Sequence, residues 1–389
     1  MWHAVDACLK CTLCVSQCPV LSVNPEFPGP KALGPEWFRR AQAGMDQVMP
    51  HVDDCTFCQL CELACPVDVP VAHLIAEHKS RVPRRPLRLR LRDGMLARPH
   101  VVARIPGWAV SPGSLRRLGR IARKTPLPVR RREAVSSLKS SHRGRSRGRV
   151  GLFADCYSNG YDPGLIQKAS ELLRIWGYDV IPLPQRGGCC GAAAYAAGQP
   201  ALARQMGRST WADLNAATDL EAIVTLNATC DGTLRDEWPR FFEMRLNTPV
   251  VPFDELAGEA PNEFWEALRT TAPTNASWIA HTTCRGKVAR GDGHLVALFR
   301  RAGFDVQPSD TACCGAGGSY AFKAEHEDTA QRLSDQLRQQ ADTEQPTGII
   351  TDSGTCAIHI EHATRVITRH PAHWLYEQWL RCQKEVPNS

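Results

Sequence analysis

Sixteen of the 17 cysteines in this 389-residue chain fall into spaced sets. Two runs have the same form: Cys8, Cys11, Cys14 and Cys18 before Pro19, and Cys55, Cys58, Cys61 and Cys65 before Pro66. Three thiolates two residues apart can wrap three irons of a [4Fe-4S] cube, while the fourth lies beyond reach of the same cube and serves the other one. The expected ligand sets are therefore Cys8, Cys11, Cys14 and Cys65 for one cluster, and Cys18, Cys55, Cys58 and Cys61 for the second. A cube capped by four thiolates leaves no open iron position, so its chemistry is one-electron transfer. Zinc is the competing reading of Cys-x2-Cys pairs, but it needs four ligands and has no use for eight in two complete runs.

The other eight cysteines sit around two Cys-Cys-Gly triplets. Cys156, Cys189, Cys190 and Cys230 make one set; Cys284, Cys313, Cys314 and Cys356 make the other. Adjacent cysteines are strained as a disulfide but can present two thiolates to neighbouring irons. The flanking glycines (Gly187, Gly188, Gly191; Gly315, Gly317, Gly318) let backbone approach a cluster. A further iron-sulfur cluster is expected in each set, against the alternative of buried free thiols beside a glycine-rich turn.

The elements that must position these thiols are readable too. Short apolar runs alternate with helical stretches from Val150 onward: Val150 to Ala154, Leu165 to Trp176, Asp179 to Pro182, Ala222 to Leu226 and Pro249 to Val251. The same order recurs at Ser277 to Ala280, Leu295 to Ala302, Asp305 to Gln307 and Gly348 to Thr351. Leu172 to Val180 aligns with Leu298 to Val306 at an offset of 126, as Ala222 to Cys230 does with Gly348 to Cys356, while the triplets align at 124. A tandem α/β repeat follows. The 36 residues between the first two cysteine runs exceed a minimal two-cluster unit, and Trp37 to Val48 reads as helix.

The expected architecture is α+β and multidomain. A helical two-cluster domain spans residues 1–80, a basic Arg/Pro-rich connection 81–149, and two tandem α/β cysteine-rich domains 150–272 and 273–389.

Charge is concentrated. The chain carries net +7, but between Arg81 and Val150 there are 21 Lys and Arg against Asp93 and Glu133, a net +19 that leaves the remainder at −12. Arg84, Arg85, Arg88, Arg90, Arg92 and Trp108 are the expected contacts with an anionic membrane surface or a partner, each basic residue near such a surface contributing roughly 1 kcal/mol. A solvated linker is the plainer reading. Nucleic acid ranks below both, because no stacking or base-reading motif accompanies the charge. No window approaches the ~18 apolar residues of a spanning helix. The cysteine content is far below the ~8–10% of disulfide scaffolds, and the N-terminal stretch lacks a secretory pattern, so a reducing cytoplasm is expected. No Rossmann fingerprint, Walker loop or Ser-His-Asp pattern is present, so no catalytic residue is assigned. His281 reads as a satisfied surface or core histidine, the alternative being a donor to a cluster sulfide or part of a proton path near a quinone; Cys382 reads as a packing residue.

With these motifs in view, the chain resembles the family of iron-sulfur subunits that join an N-terminal ferredoxin domain to two cysteine-rich CCG domains, as in anaerobic glycerol-3-phosphate dehydrogenase, glycolate oxidase and heterodisulfide reductase. Asn24 to Lys31 with Gly34-Pro35, Thr229-Cys230 with Leu234 to Pro239, and Cys313 to Lys323 are most similar to the first. The resemblance implies an electron-transfer subunit that passes electrons from an FAD-containing partner subunit to membrane quinone, peripheral on the inner face of the cell membrane, with no substrate site of its own. The alternatives are the same role in glycolate or lactate oxidation, or a heterodisulfide reductase-like thiol-disulfide reductase. The family's CCG pattern ends in Cys-x-x-Cys, whereas this chain has Asn227 and Ser353 at the first position, so four thiols remain per repeat, which suits an ordinary cube. Thr283 and Arg285 flank Cys284 where the family often carries Pro and His.

Overall fold

Two α/β units, each built on a parallel sheet of the same topology, form the larger part of the chain in a computed structural model, which describes residues 3–83, 86–96, 121–122 and 146–385. The first sheet contains β1 (Arg149–Asp155), β2 (Asp179–Gly188), β3 (Ala222–Thr225) and β4 (Val250–Pro252), in the spatial order β2-β1-β3-β4. The second contains β5 (Ser277–His281), β6 (Asp305–Pro308), β7 (Gly348–Thr351) and β8 (Thr368–Arg369), in the matching order β6-β5-β7-β8. Every pairing within them is parallel. The central strands are near-continuous apolar runs, buried along Val150 to Asp155 and throughout β3 and β7. That is the pattern of strands covered on both faces.

Helices Pro163–Ile175 and Pro371–Glu385 pack together although they come from opposite ends of the repeat region. They share one core in which Leu172, Trp176, Phe264 and Trp265 of the first repeat meet Trp278, Phe299, Leu375 and Tyr376 of the second. Cys382 is buried in this core, its thiol donating to the Ala267 carbonyl at 3.1 Å. The two repeats are thus fused along one apolar seam.

The N-terminal unit is helical, and its core is continuous with the first repeat: Leu33, Trp37, Leu74 and Ile75 belong to the same cluster as Phe153, Ile223 and Trp238. Residues Trp37–Gln42 form the expected helix, but it stops six residues short of Val48. Gly44 follows in the left-handed region at φ 79°. The helix is preceded by a π-helical turn, Ala32–Glu36, with Pro35 inside it. A second π-helical segment, Thr233–Phe242, contains Pro239. Proline cannot donate the usual backbone bond, so a widened turn is the local solution in both places. The second segment turns Glu237 and Trp238 fully inward.

Candidate metal centres

The thiols of the N-terminal unit line two separate small cavities. Cys8, Cys11, Cys14 and Cys65 line one, with Lys10 and Pro66 beside them. Cys18, Cys55, Cys58 and Cys61 line the other, with Gln59 and Phe27. The fourth cysteine of each run is therefore brought to the opposite run's loop. Both loops adopt the same backbone: Lys10 and Thr12 in the first, Phe57 and Gln59 in the second, have φ between 58° and 68°. None of these is glycine, so each loop holds two residues in a conformation that L-residues avoid at a cost of ~1–2 kcal/mol. Left-handed residues placed along a loop help turn its N–H groups into a concave row suited to an anionic iron-sulfur centre. The donor set and the cradle both fit a thiolate-ligated cluster.

The two centres differ in exposure. Cys11 is exposed and Cys8, Cys14 and Cys65 are half-buried, whereas Cys58 and Cys61 are buried. Burial pushes the Cys18 thiol up to about 11, and those of Cys58 and Cys61 upward as well. A thiol so placed gives up its proton only to something that replaces it, which is the coupling of metal binding to proton release. The Val69 N–H lies 3.3 Å from Cys65 Sγ, and a donor to a ligating sulfur tunes how it holds its metal.

The repeats place their thiols at the carboxyl ends of the strands. Cys156 follows β1, Cys189 follows β2 and Cys230 lies in the first turn of the helix beyond β3; Cys284, Cys313 and Cys356 hold the corresponding places beyond β5, β6 and β7. In each sheet the chain leaves the central strand for one side and returns on the other. Ligand sites of open α/β sheets form at that reversal, outside the carboxyl ends. The thiols converge accordingly: Cys190 Sγ lies 3.4 Å from Cys230 Sγ, and Cys156 hydrogen-bonds Cys189. In the second repeat Cys284 pairs with Cys313 and Cys314 with Cys356.

The glycines after the two triplets have one physical reason. Gly191 and Gly315 have φ of +87° and +85°, and an added Cβ would stand 2.5 Å from the Ala203 carbonyl oxygen and 2.4 Å from that of Ala330. Only glycine permits both the conformation and the close approach to the neighbouring helix. Both thiol sets open onto one cavity of about 110 Å³, lined by all four cysteines of the first repeat and by Cys284 and Cys356 of the second. Asn227 and Ser353 sit at the helix starts before Cys230 and Cys356, where the Asn227 side chain accepts the Thr229 N–H at 3.1 Å. These two residues hold helix-capping positions, which asparagine and serine fill well. His281 is fully buried, with Nδ1 2.9 Å from Ser309 Oγ.

The basic segment divides. Arg84, Arg85 and Trp108 lie outside the described residues. Arg88 and Arg90 are exposed on helix Leu87–Leu96, beside Leu87 and Leu91 at 67% and 65% exposure. Arg92 does not join them, contrary to its expected surface role. It is 3% exposed and its guanidinium binds Asp93 at 2.8 Å and Glu325 at 2.7 Å, since a buried charge persists only when paired. Sequence reasoning also missed the polar residues behind the shared cavity, Arg285 and Glu237, which lie 2.5 Å apart. The only signal was the arginine directly after Cys284.

Comparison with known proteins agrees with this geometry. Residues 4–69 match the model of a 4Fe-4S dicluster domain, and residues 150–235 and 278–361 each match that of a cysteine-rich (CCG) domain. The chain is 28% identical over 395 residues to a subunit of the anaerobic glycerol-3-phosphate dehydrogenase of Escherichia coli, covering 94% of this chain and 96% of that protein. It is 26% identical to the glycolate oxidase iron-sulfur subunit of Escherichia coli, over 94% of this chain and 91% of that one. It is 22% identical to a subunit of the fumarate reductase (CoM/CoB) of Methanothermobacter marburgensis, over 91% of this chain and 67% of that one. The chain belongs to the family of iron-sulfur subunits that join a 4Fe-4S dicluster domain to two cysteine-rich CCG domains.

Proposed function

We propose that this chain is the electron-transfer subunit of a flavin-dependent dehydrogenase complex, most similar in role to anaerobic glycerol-3-phosphate dehydrogenase, and that it carries electrons from an FAD-containing partner toward membrane quinone. The observation that carries the reading is the adjacency of the thiol sets. Cys58 of the dicluster unit and Cys284 of the second repeat are close enough for their charges to interact, and the second set shares a cavity with the first. The expected ligands are Cys8, Cys11, Cys14 and Cys65; Cys18, Cys55, Cys58 and Cys61; Cys156, Cys189, Cys190 and Cys230; and Cys284, Cys313, Cys314 and Cys356. Clusters bound there supply one-electron transfer. The chain's own part is to hold the thiolates on strained loops and at strand ends, and to keep water from the inner sets. The exposed Cys11 places one end of the series at the surface, where a partner can reach it.

Among the described residues no helix is long and apolar enough to cross a membrane. Contact with the inner face of the cell membrane would fall to Arg88 and Arg90 with Leu87 and Leu91. The test has two arms. Anaerobically purified chain should contain about 16 irons if four cubes are bound and about eight if only the dicluster unit is filled. The copurified flavoprotein should be reduced by glycerol 3-phosphate. Reduction by glycolate or lactate instead would move the assignment to the second relative, and a chain without iron would end it.

A further inference from the structure

Behind the shared cavity runs a row of buried polar side chains that none of the four thiol sets uses. Arg285, 6% exposed, lies 2.5 Å from Glu237 Oε1, and Glu237 is fully buried. Gln59 Nε2 donates to the same oxygen at 3.0 Å, and Thr233 Oγ1 donates to Oε2 at 2.5 Å. Gln59 also stands 3.1 Å from His73 Nε2, whose Nδ1 shares a hydrogen bond with the Tyr195 hydroxyl at 3.1 Å. Gln59 and His73 belong to the dicluster unit, Tyr195, Thr233 and Glu237 to the first repeat, and Arg285 to the second. The pair therefore sits where all three meet.

Two features set Arg285 apart from a structural ion pair. Among the described residues neither its Nε nor its Nη1, both buried, has a hydrogen-bond partner. Arginine has five N–H groups, and leaving buried donors idle destabilises a fold unless an acceptor is supplied. Arg285 and Glu237 both line the cavity onto which Cys284 and the first-repeat thiols open. The guanidinium carbon also lies 5.9 Å from the centre of the Phe57 ring, next to Cys58. A fixed cation in a water-poor site between two anionic thiolate sets favours added negative charge on both, most at the nearer one, which contains its neighbour Cys284. Glu237 acts in the opposite sense from the same wall.

We propose that the Arg285–Glu237 pair sets how readily a cluster held by the second-repeat thiols, around Cys284, would accept an electron, Arg285 drawing it on from the Cys58 side and Glu237 limiting that pull. The proposal rests on the reading that the repeat thiols hold iron-sulfur clusters, and its test separates the two. Full-length chain purified without oxygen is titrated potentiometrically under electron paramagnetic resonance, with iron and sulfide counted for every variant. Arg285→Gln should lower the reduced-to-oxidised ratio of the second-repeat signal about tenfold at fixed potential, equivalent to ~59 mV for a one-electron couple. Glu237→Gln should raise it by a comparable factor, and Arg285→Lys should stay near the wild type. The signal of the Cys8 set should not move.

Opposite signs for the two neutral variants are what a structural role would not produce. Equal iron content with unmoved potentials, or shifts of the same sign, overturns the proposal. Should Arg285→Gln fail to fold, the upward shift in Glu237→Gln still decides it. Wild-type chain with only the dicluster iron would overturn the underlying reading and the proposal with it.

Discussion

Replacing Gly315 with alanine tests whether the Cys-Cys-Gly turn is dictated by backbone space. The residue has φ +85°, and an added Cβ would meet the Ala330 carbonyl oxygen at 2.4 Å and Leu333 Cβ at 3.0 Å. That carbonyl cannot swing aside freely, because it belongs to helix Glu327–Glu344 and also accepts from His359 Nε2 at 3.2 Å. The left-handed conformation costs alanine about 1–2 kcal/mol. Relieving the clash by backbone movement adds about 1–3 kcal/mol, the range for overpacked sites. Gly315→Ala should therefore lose about 2–5 kcal/mol in urea unfolding and shift the loop that carries Cys313 and Cys314, reducing iron retained by the second repeat. Gly191→Ala, 2.5 Å from the Ala203 carbonyl, should do the same to the first. Gly44→Ala is the control: φ is +79° but among the described residues nothing lies within 4 Å, so only the conformational cost of about 1–2 kcal/mol remains. Gly258→Ala, near a helix end with a negative φ and open space, should gain about 0.5–1 kcal/mol. Gly315→Ala no less stable than Gly44→Ala, with its iron intact, would refute the reasoning.

Two further outcomes concern buried charge. Arg290 reaches Asp231 at 3.1 Å and Asp254 at 3.2 Å in the first repeat and Asp352 at 3.0 Å in the second. Arg290→Met should cost about 3–5 kcal/mol at pH 8, because three buried carboxylates lose the cation they share, Asp231 keeping the more exposed Arg235 at 3.5 Å and Asp254 keeping His294 at 2.8 Å. Burial already raises Asp231 to about 6 and Asp352 above the ordinary range. Protonation should therefore shrink the deficit relative to wild type at pH 5.5, and a loss equal at both values would refute the account. His370 is buried and held neutral, its pKa pushed down to about 3 chiefly by loss of solvent. The unfolded chain takes up a proton there below about 6.5 while the folded chain does not, so wild-type stability falls as the pH drops. Asparagine can still accept the Ala372 N–H that His370 Nδ1 accepts at 3.1 Å, but it does not titrate. His370→Asn should gain on the wild type by about 1.4 kcal/mol per pH unit from pH 6 to pH 4, whatever its offset at neutrality; a constant difference would remove histidine burial as the cause.

What was legible in the chain followed from chemistry that acts over short spans. A cubane ligand run needs thiols at fixed intervals, and a βα unit needs an apolar strand followed by an amphipathic helix, so the cysteine sets and seven of the eight strands could be placed from local pattern alone. β8 has only two residues, too few to show a period. The helix after Trp37 ended early because the left-handed Gly44 breaks it, a matter of backbone conformation that apolar spacing does not reveal. Arg92 looked like its neighbours because composition treats arginines alike; its partner Glu325 is 233 positions away. Glu237 and Arg285 are likewise joined only by the packing of one repeat against the other.

That packing explains why two repeats are needed where one fold would seem to offer a complete set of four thiols. The residue after the leading cysteine of each repeat lies against the helix that bears the last cysteine of the other. Tyr157 packs where a Cβ on Gly354 would stand, and the Arg285 guanidinium packs where one on Gly232 would stand. The Ala228 N–H donates to the Asp352 carbonyl at 3.0 Å, and Arg290 gathers carboxylates from both sides. An isolated repeat would therefore expose a thiol-bearing helix, leave buried charges unpaired and open the cavity to water. The tandem arrangement closes each site with the other's residues and in doing so brings the two thiol sets to a common wall, which is the arrangement an electron crossing between them requires.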